Sequence, residues 1–182
     1  MRVTRISSRR LISATVIAGV TGLAPALIAP ASLAKGGSIA ARPSCVTSGL
    51  VVWLNTAGNG AAGSIYYNLY FTNLSAHTCN LRGFPGVSAV DLFGRRVGRA
   101  ASRESVQKPT VVTLQREATA AAVLRIVDAA NFTASACHEA TAAGLRVYPP
   151  GQARSKLIPF PFKVCSRTAV NVLSVRALVP KA

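Results

Sequence analysis

Five carboxylates and two histidines make up the whole acid–base inventory of this 182-residue chain. Acid–base catalysis needs such groups in convergent pairs, and Asp91, Glu104, Glu117, Asp128, Glu139, His77 and His138 are scattered along the sequence. His77 lies in a Ser-Ala-His-Thr turn and His138 beside Cys137, settings that read as solvated loop histidines. No Gly-x-Ser-x-Gly elbow or His-Glu-x-x-His helix is present to carry a hydrolytic mechanism. No glycine-rich loop opens a helix, so a nucleotide cofactor finds no seat. There is no Cys-x-x-Cys pair, and the adjacent Cys137 and His138 are poorly placed to share one metal ion. The sequence therefore reads as a non-enzyme that requires no cofactor.

What is abundant is positive charge: 21 Lys and Arg give a net charge of +16. Four of these, Arg2, Arg5, Arg9 and Arg10, form a basic leader ahead of the apolar stretch Leu11 to Ile28. Ser32-Leu33-Ala34 then supplies the small-x-small pattern of a cleavage site. Residues 1–34 are thus expected to be a cleaved signal peptide, and an uncleaved membrane anchor is the competing reading. Ser8-Arg9-Arg10-Leu11-Ile12 partly resembles a twin-arginine signal, which leaves the export route open. No cysteine lies near the cut, and no second long apolar segment follows. The remainder stays strongly basic and favours anionic partners, although arginine from a GC-rich gene explains much of the excess.

Cys45, Cys79, Cys137 and Cys165 all lie downstream of the leader, and an even set in an exported chain reads as two disulfides. Three connectivities are possible. Joining neighbours along the chain gives Cys45–Cys79 and Cys137–Cys165, the pairing preferred on topology. Loops of that size contribute about 3.5–4 kcal/mol each in the chain-entropy model. Crossed pairings would gain only about a few tenths more, so energy leaves the choice open.

Residues 35–44 are small and polar and read as a flexible lead-in to a single domain over 45–182. Leu50 to Leu54 is a short strand closed by Asn55 and a Gly58-Asn59-Gly60 turn signal. Ser64 to Asn73 alternates, with Ile65, Tyr67, Leu69 and Phe71 on one face and Tyr66, Asn68, Tyr70 and Thr72 on the other. Further strands are expected at Gly86–Phe93, Val111–Leu114, Ala118–Val127, Leu145–Tyr148, Leu157–Ile158 and Val170–Val179. Phe132 to Ala143 reads as a short helix or irregular loop. Short strands at such spacing, without room for helical crossovers, indicate an all-β antiparallel sandwich or barrel.

Two stretches carry a family likeness: Phe71 to Ser75 with Thr78 to Val87, and Cys137 with Gly144 to Gly151. Together they resemble the actinobacterial secreted family called domain of unknown function 4232, over about Cys45 to Val179. The resemblance implies an exported immunoglobulin-like β-sandwich and carries over no catalytic residue. Many relatives are lipoproteins; this chain lacks their lipid-attachment cysteine. Gly83 and Gly86 flank Phe84-Pro85 in a sharp turn, and Phe84 is expected to plug one end of the core.

Two surfaces stand out as candidates. Arg95, Arg96, Arg99 and Arg103, with Lys108 nearby, can meet phosphate or carboxylate bidentately, although charges on an edge strand also simply deter aggregation. Tyr66, Asn68 and Tyr70 can stack a sugar, or lie under a neighbouring loop. Specific nucleic acid recognition is not expected, because Val97, Ala100 and Ala101 hold the places where aromatics would interleave. The sequence thus points to a secreted binding or structural module of the cell envelope, adhering to an anionic cell-wall polymer or an envelope protein. A small extracellular hydrolase is the alternative.

Overall fold

A computed structural model describes residues 42–181. The expected leader, residues 1–34, and most of the expected lead-in lie outside the described residues. Eleven strands run in chain order: β1 Leu50–Ala61, β2 Ser64–Asn73, β3 Cys79–Arg82, β4 Gly86–Val90, β5 Ser102–Glu104, β6 Val111–Leu114, β7 Thr119–Val127, β8 Glu139–Tyr148, β9 Lys156–Cys165, β10 Leu173–Arg176 and β11 Val179–Pro180. One short helix, α1 Ala134–Cys137, precedes β8. The largest sheet has the order β1-β2-β7-β10-β5, with β11 also on β7. A three-stranded sheet, β4-β8-β9, and the β3-β6 ribbon complete the all-β framework. Pairing between these strands is antiparallel except where β5 runs parallel to β10.

Alternation explains the sheets that were legible. On β2, Leu69 and Phe71 are fully buried and Tyr67 packs against them, while β7 contributes Ala120, Ala122, Leu124 and Ile126 in strict period two. Val87, Ala89, Leu145, Val147 and Val164 of the three-stranded sheet enter the same core. The two disulfides, Cys45–Cys79 and Cys137–Cys165, close separations of 34 and 28 residues. All four cysteines are buried, so the cross-links are shielded from solvent. The first ties the beginning of the domain to β3. There Pro43 and Ser44, the end of the expected lead-in, already pair with Asn80.

Several elements differ from expectation for identifiable reasons. β1 runs through the Gly58-Asn59-Gly60 signal and turns at Ala62-Gly63, whose φ values of 44° and 70° suit a two-residue hairpin. Gly58 serves packing instead, since a Cβ there would lie 2.5 Å from Ile65 and 2.7 Å from Tyr67. β4 stops at Val90, because the Asp91 carboxylate accepts from the Phe93 and Arg95 amides and bends the chain. β8 begins at Glu139, so the alanine-rich segment is one helical turn followed by strand. β9 is far longer than Leu157–Ile158 and tolerates Pro159 and Pro161 because it is an edge strand, where a missing N–H breaks no ladder.

A cleft lined by unpaired arginines

The two stretches that carry the family likeness meet at one end of the molecule. Gly86 of β4 pairs with Tyr148 of β8, so the turn before β4 and the turn after β8 emerge side by side. The first turn contains Gly83, at a left-handed φ of 109°, and its carbonyl accepts from the Leu178 amide at 2.9 Å. The second, Pro149-Pro150-Gly151, is closed by the Gln152 amide on the Pro149 carbonyl. It is fastened again by Thr47, whose hydroxyl donates to the Arg154 carbonyl and whose amide donates to Gln152 Oε1. Pro85, Pro149 and Pro150 are buried, which stiffens both turns.

Between these turns lies a cleft of about 390 Å³ lined by Arg82, Gly83, Phe84, Arg103, Pro109, Pro150 and Gly151. Phe84 is not the core plug expected of it. It is half-buried and forms a wall, with the Arg103 guanidinium 5.6 Å from its ring centroid. Arg82 and Arg103 are both exposed. Among the described residues, neither has a carboxylate within 4.0 Å. Sequence reasoning missed Arg82; its place at the end of β3, directly before the Gly-Phe-Pro-Gly turn, was the available signal.

The four arginines singled out from sequence are not one patch. The chain from Arg95 to Ala101 runs back along β4, with the Val97 amide on the Ala89 carbonyl and the Ala101 amide on the Val87 carbonyl. Arg103 has by then crossed to β5, in the other sheet. Arg95 is held by Asp91, Nε to Oδ2 at 2.8 Å, and lies over the Phe93 ring. Partial desolvation raises the Asp91 pKa, but hydrogen bonds from the Arg95 side chain and backbone and from the Phe93 amide outweigh it, leaving the carboxyl below its ordinary value. Arg96 and Arg99 are exposed.

Other polar groups are committed to the fold. Glu104 accepts from the Ser174 hydroxyl and from Arg176 Nε at 3.1 Å, with Arg125 at 3.9 Å. These contacts, the Ser174 hydrogen bond foremost, hold its carboxyl below the usual range despite partial burial. Asn73, fully buried, donates to the carbonyls of His77, Leu114 and Gln115 and accepts from the Ser75 amide and hydroxyl. This network accounts for the Asn73-Leu74-Ser75 part of the motif without a ligand.

The aromatic surface is also largely occupied. Tyr70 is only 8% exposed, packed against Trp53 with Lys181 Nζ 4.8 Å from its centroid. Arg125 and Arg176 each lie 5.9 Å from the Tyr66 ring. A larger depression of about 510 Å³ sits at the β1–β2 hairpin. Its charged groups already have partners, Asp128 accepting from Ala130 N and Lys163 pairing with Glu139 at 3.0 Å.

Among the described residues, one serine hydroxyl meets an imidazole nitrogen, Ser166 Oγ at 2.9 Å from His138 Nδ1. The same hydroxyl donates to the His138 carbonyl at 2.8 Å. Its single proton is therefore engaged and the imidazole must act as donor, the reverse of nucleophile activation.

The family model described as domain of unknown function (DUF4232) matches residues 45–178. No curated protein and no solved structure matches the chain. Among the described residues, no helix is long and apolar enough to cross a membrane.

Proposed function

For a chain that belongs to the DUF4232 family, whose description names no activity, we propose a secreted, non-catalytic binding module of the cell envelope that holds an anionic polymer in the Arg82–Phe84–Arg103 cleft. The observation that carries this reading is the pair of guanidinium groups that, among the described residues, have no carboxylate within 4.0 Å, beside a cleft of about 390 Å³ that suits a phosphate or uronic acid unit. A guanidinium resting on an aromatic ring keeps its fork of donors in a fixed plane. It can then grip phosphate or carboxylate bidentately with little further loss of rotamer freedom. Arg103 stays in this role from the sequence-based set, and Arg96 and Arg99 add long-range attraction on the neighbouring edge. Arg95 contributes less, since Asp91 neutralises it. The outward location of the protein rests on the basic leader and on two buried disulfides, which fit an oxidising compartment.

The test is retention on purified cell-wall material and on soluble polyphosphate across a salt series. Binding through guanidinium groups must weaken steeply with ionic strength. The Arg82→Ala and Arg103→Ala variants should each bind about tenfold more weakly or worse, the loss expected for one charge-assisted hydrogen bond. Retention unchanged by salt, or unchanged in the double variant, overturns the reading. Turnover of an ester panel that disappears in Ser166→Ala would replace it with the hydrolase alternative.

A further inference from the structure

Among the described residues, the most exposed large apolar side chains are neighbours, Leu92 at 89% and Phe93 at 83%. Single exposed apolar residues need no explanation, but two at the tip of one tight, reinforced turn call for one. The Gly94 amide donates to the Asp91 carbonyl at 2.9 Å, and the Asp91 amide to the Arg95 carbonyl at 2.9 Å. Gly94 takes a left-handed φ of 73°, and the Arg146 guanidinium donates to its carbonyl. The Asp91 carboxylate binds two amides within the turn and the Arg95 side chain across it. The amides of Asp91, Phe93 and Gly94 and the carbonyls of Asp91 and Gly94 are thus all hydrogen-bonded within the turn or to Arg146, while the Leu92 and Phe93 side chains face outward.

The surroundings extend the same surface. A hollow of about 430 Å³ beside it is lined by Leu92, Phe93, Ala142, Ala143 and Pro161 together with Thr141 and the paired Asp91 and Arg95. A second of about 240 Å³ includes Leu92, Leu157 and Pro159, and Leu157 is itself 60% exposed. From Asp91 to Arg99 the surplus charge of the turn and the segment after it is positive. Asp91 is neutralised by Arg95, and Arg96 and Arg99 follow within five residues of Gly94, both exposed and without a carboxylate within 4.0 Å among the described residues.

We propose that the Asp91–Gly94 turn is a membrane-contact tip that seats Leu92 and Phe93 in the interfacial region of an anionic lipid bilayer. Arg96 and Arg99 meet the lipid phosphates beside it. An apolar tip flanked by basic side chains joins the two contributions that interfacial binding requires, buried hydrocarbon and attraction to anionic headgroups. Two side chains give shallow, reversible seating, far short of a membrane anchor. The tip is separate from the arginine cleft and stands whether or not that cleft takes a polymer.

The experiment is co-sedimentation of the folded, disulfide-bonded protein with vesicles of phosphatidylcholine alone and of phosphatidylcholine mixed with phosphatidylglycerol. Binding is expected only to the mixed vesicles. Leu92→Ser combined with Phe93→Ser should weaken it about tenfold or more, and Arg96→Glu by about fivefold. Both changes fall on exposed positions, and unchanged thermal unfolding would confirm that the fold is retained. Phe93→Trp in a Trp53→Phe background, which leaves one tryptophan, should shift its emission to the blue on the mixed vesicles. No binding to anionic vesicles, equal binding to both vesicle types, or full binding by the double serine variant overturns the proposal. So does a tip that crosslinks to an envelope protein while ignoring lipid.

Discussion

Arg103 and Glu104 are consecutive on β5, yet they serve opposite ends. Glu104 turns toward Ser174, Arg176 and Arg125 and becomes part of the sheet. Arg103 turns toward Phe84 and the cleft, where no carboxylate answers it among the described residues. The pleat alone separates them, since successive side chains leave a strand on opposite faces. The comparison teaches that a count of charges says little here. What matters is which charges the fold has already neutralised.

The largest expected effect falls on the cleft side. Arg82→Glu with Arg103→Glu should lower affinity for a polyanion about a hundredfold, close to 2.7 kcal/mol, and leave thermal unfolding unchanged. Equal losses of binding and stability would erase the distinction between the two faces. The reverse pattern is expected of Glu104→Ala, measured by denaturant unfolding and polymer titration together. Stability should fall by about 1–2 kcal/mol, after allowance for solvent screening of a part-exposed group, with affinity intact.

A pH series sharpens the same contrast. Because the folded state holds the Glu104 carboxyl below its ordinary 4.5, its contribution is fully present above that value. It is lost as pH falls through the lower folded value. The stability gap between the native protein and Glu104→Gln should be flat at neutral pH and close only in stronger acid. A gap that closes between pH 6 and 8 would point to a different titrating group. The smallest effect is expected of Phe84→Leu, which removes the ring beneath Arg103 while keeping the wall apolar. Polymer affinity should fall about threefold, the size of an exposed cation–π contact.

How much was legible in the sequence follows the same division. β7 could be read directly because one face is buried and alternation records it. On β2 the alternation holds for Leu69 and Phe71, while Ile65 is exposed and Tyr70 is buried against Trp53. β1 was cut short because glycines usually mark turns, whereas Gly58 makes room for Ile65 and Tyr67 across the hairpin. β9 was hidden by Pro159 and Pro161, which are disfavoured in a central strand and harmless at an edge. Arginines could be counted but not sorted, because pairing partners such as Arg176 lie 72 residues from Glu104. Phe84 was legible as a turn residue, but its place in a cleft depended on the register of β4 against β8. The tip at Leu92-Phe93 was masked by its continuity with a strand pattern that the Asp91 side chain ends.

The most direct test of the account follows individual arginines by NMR during titration with polyphosphate. The side-chain Nε–H signals of Arg82 and Arg103 should move at the lowest polymer concentrations, while those of Arg125 and Arg176, held at Glu104 and Tyr66, stay in place. Shifts spread evenly over all arginines, or concentrated at Arg125 and Arg176, would contradict the claim that the fold reserves two cations for an anionic ligand.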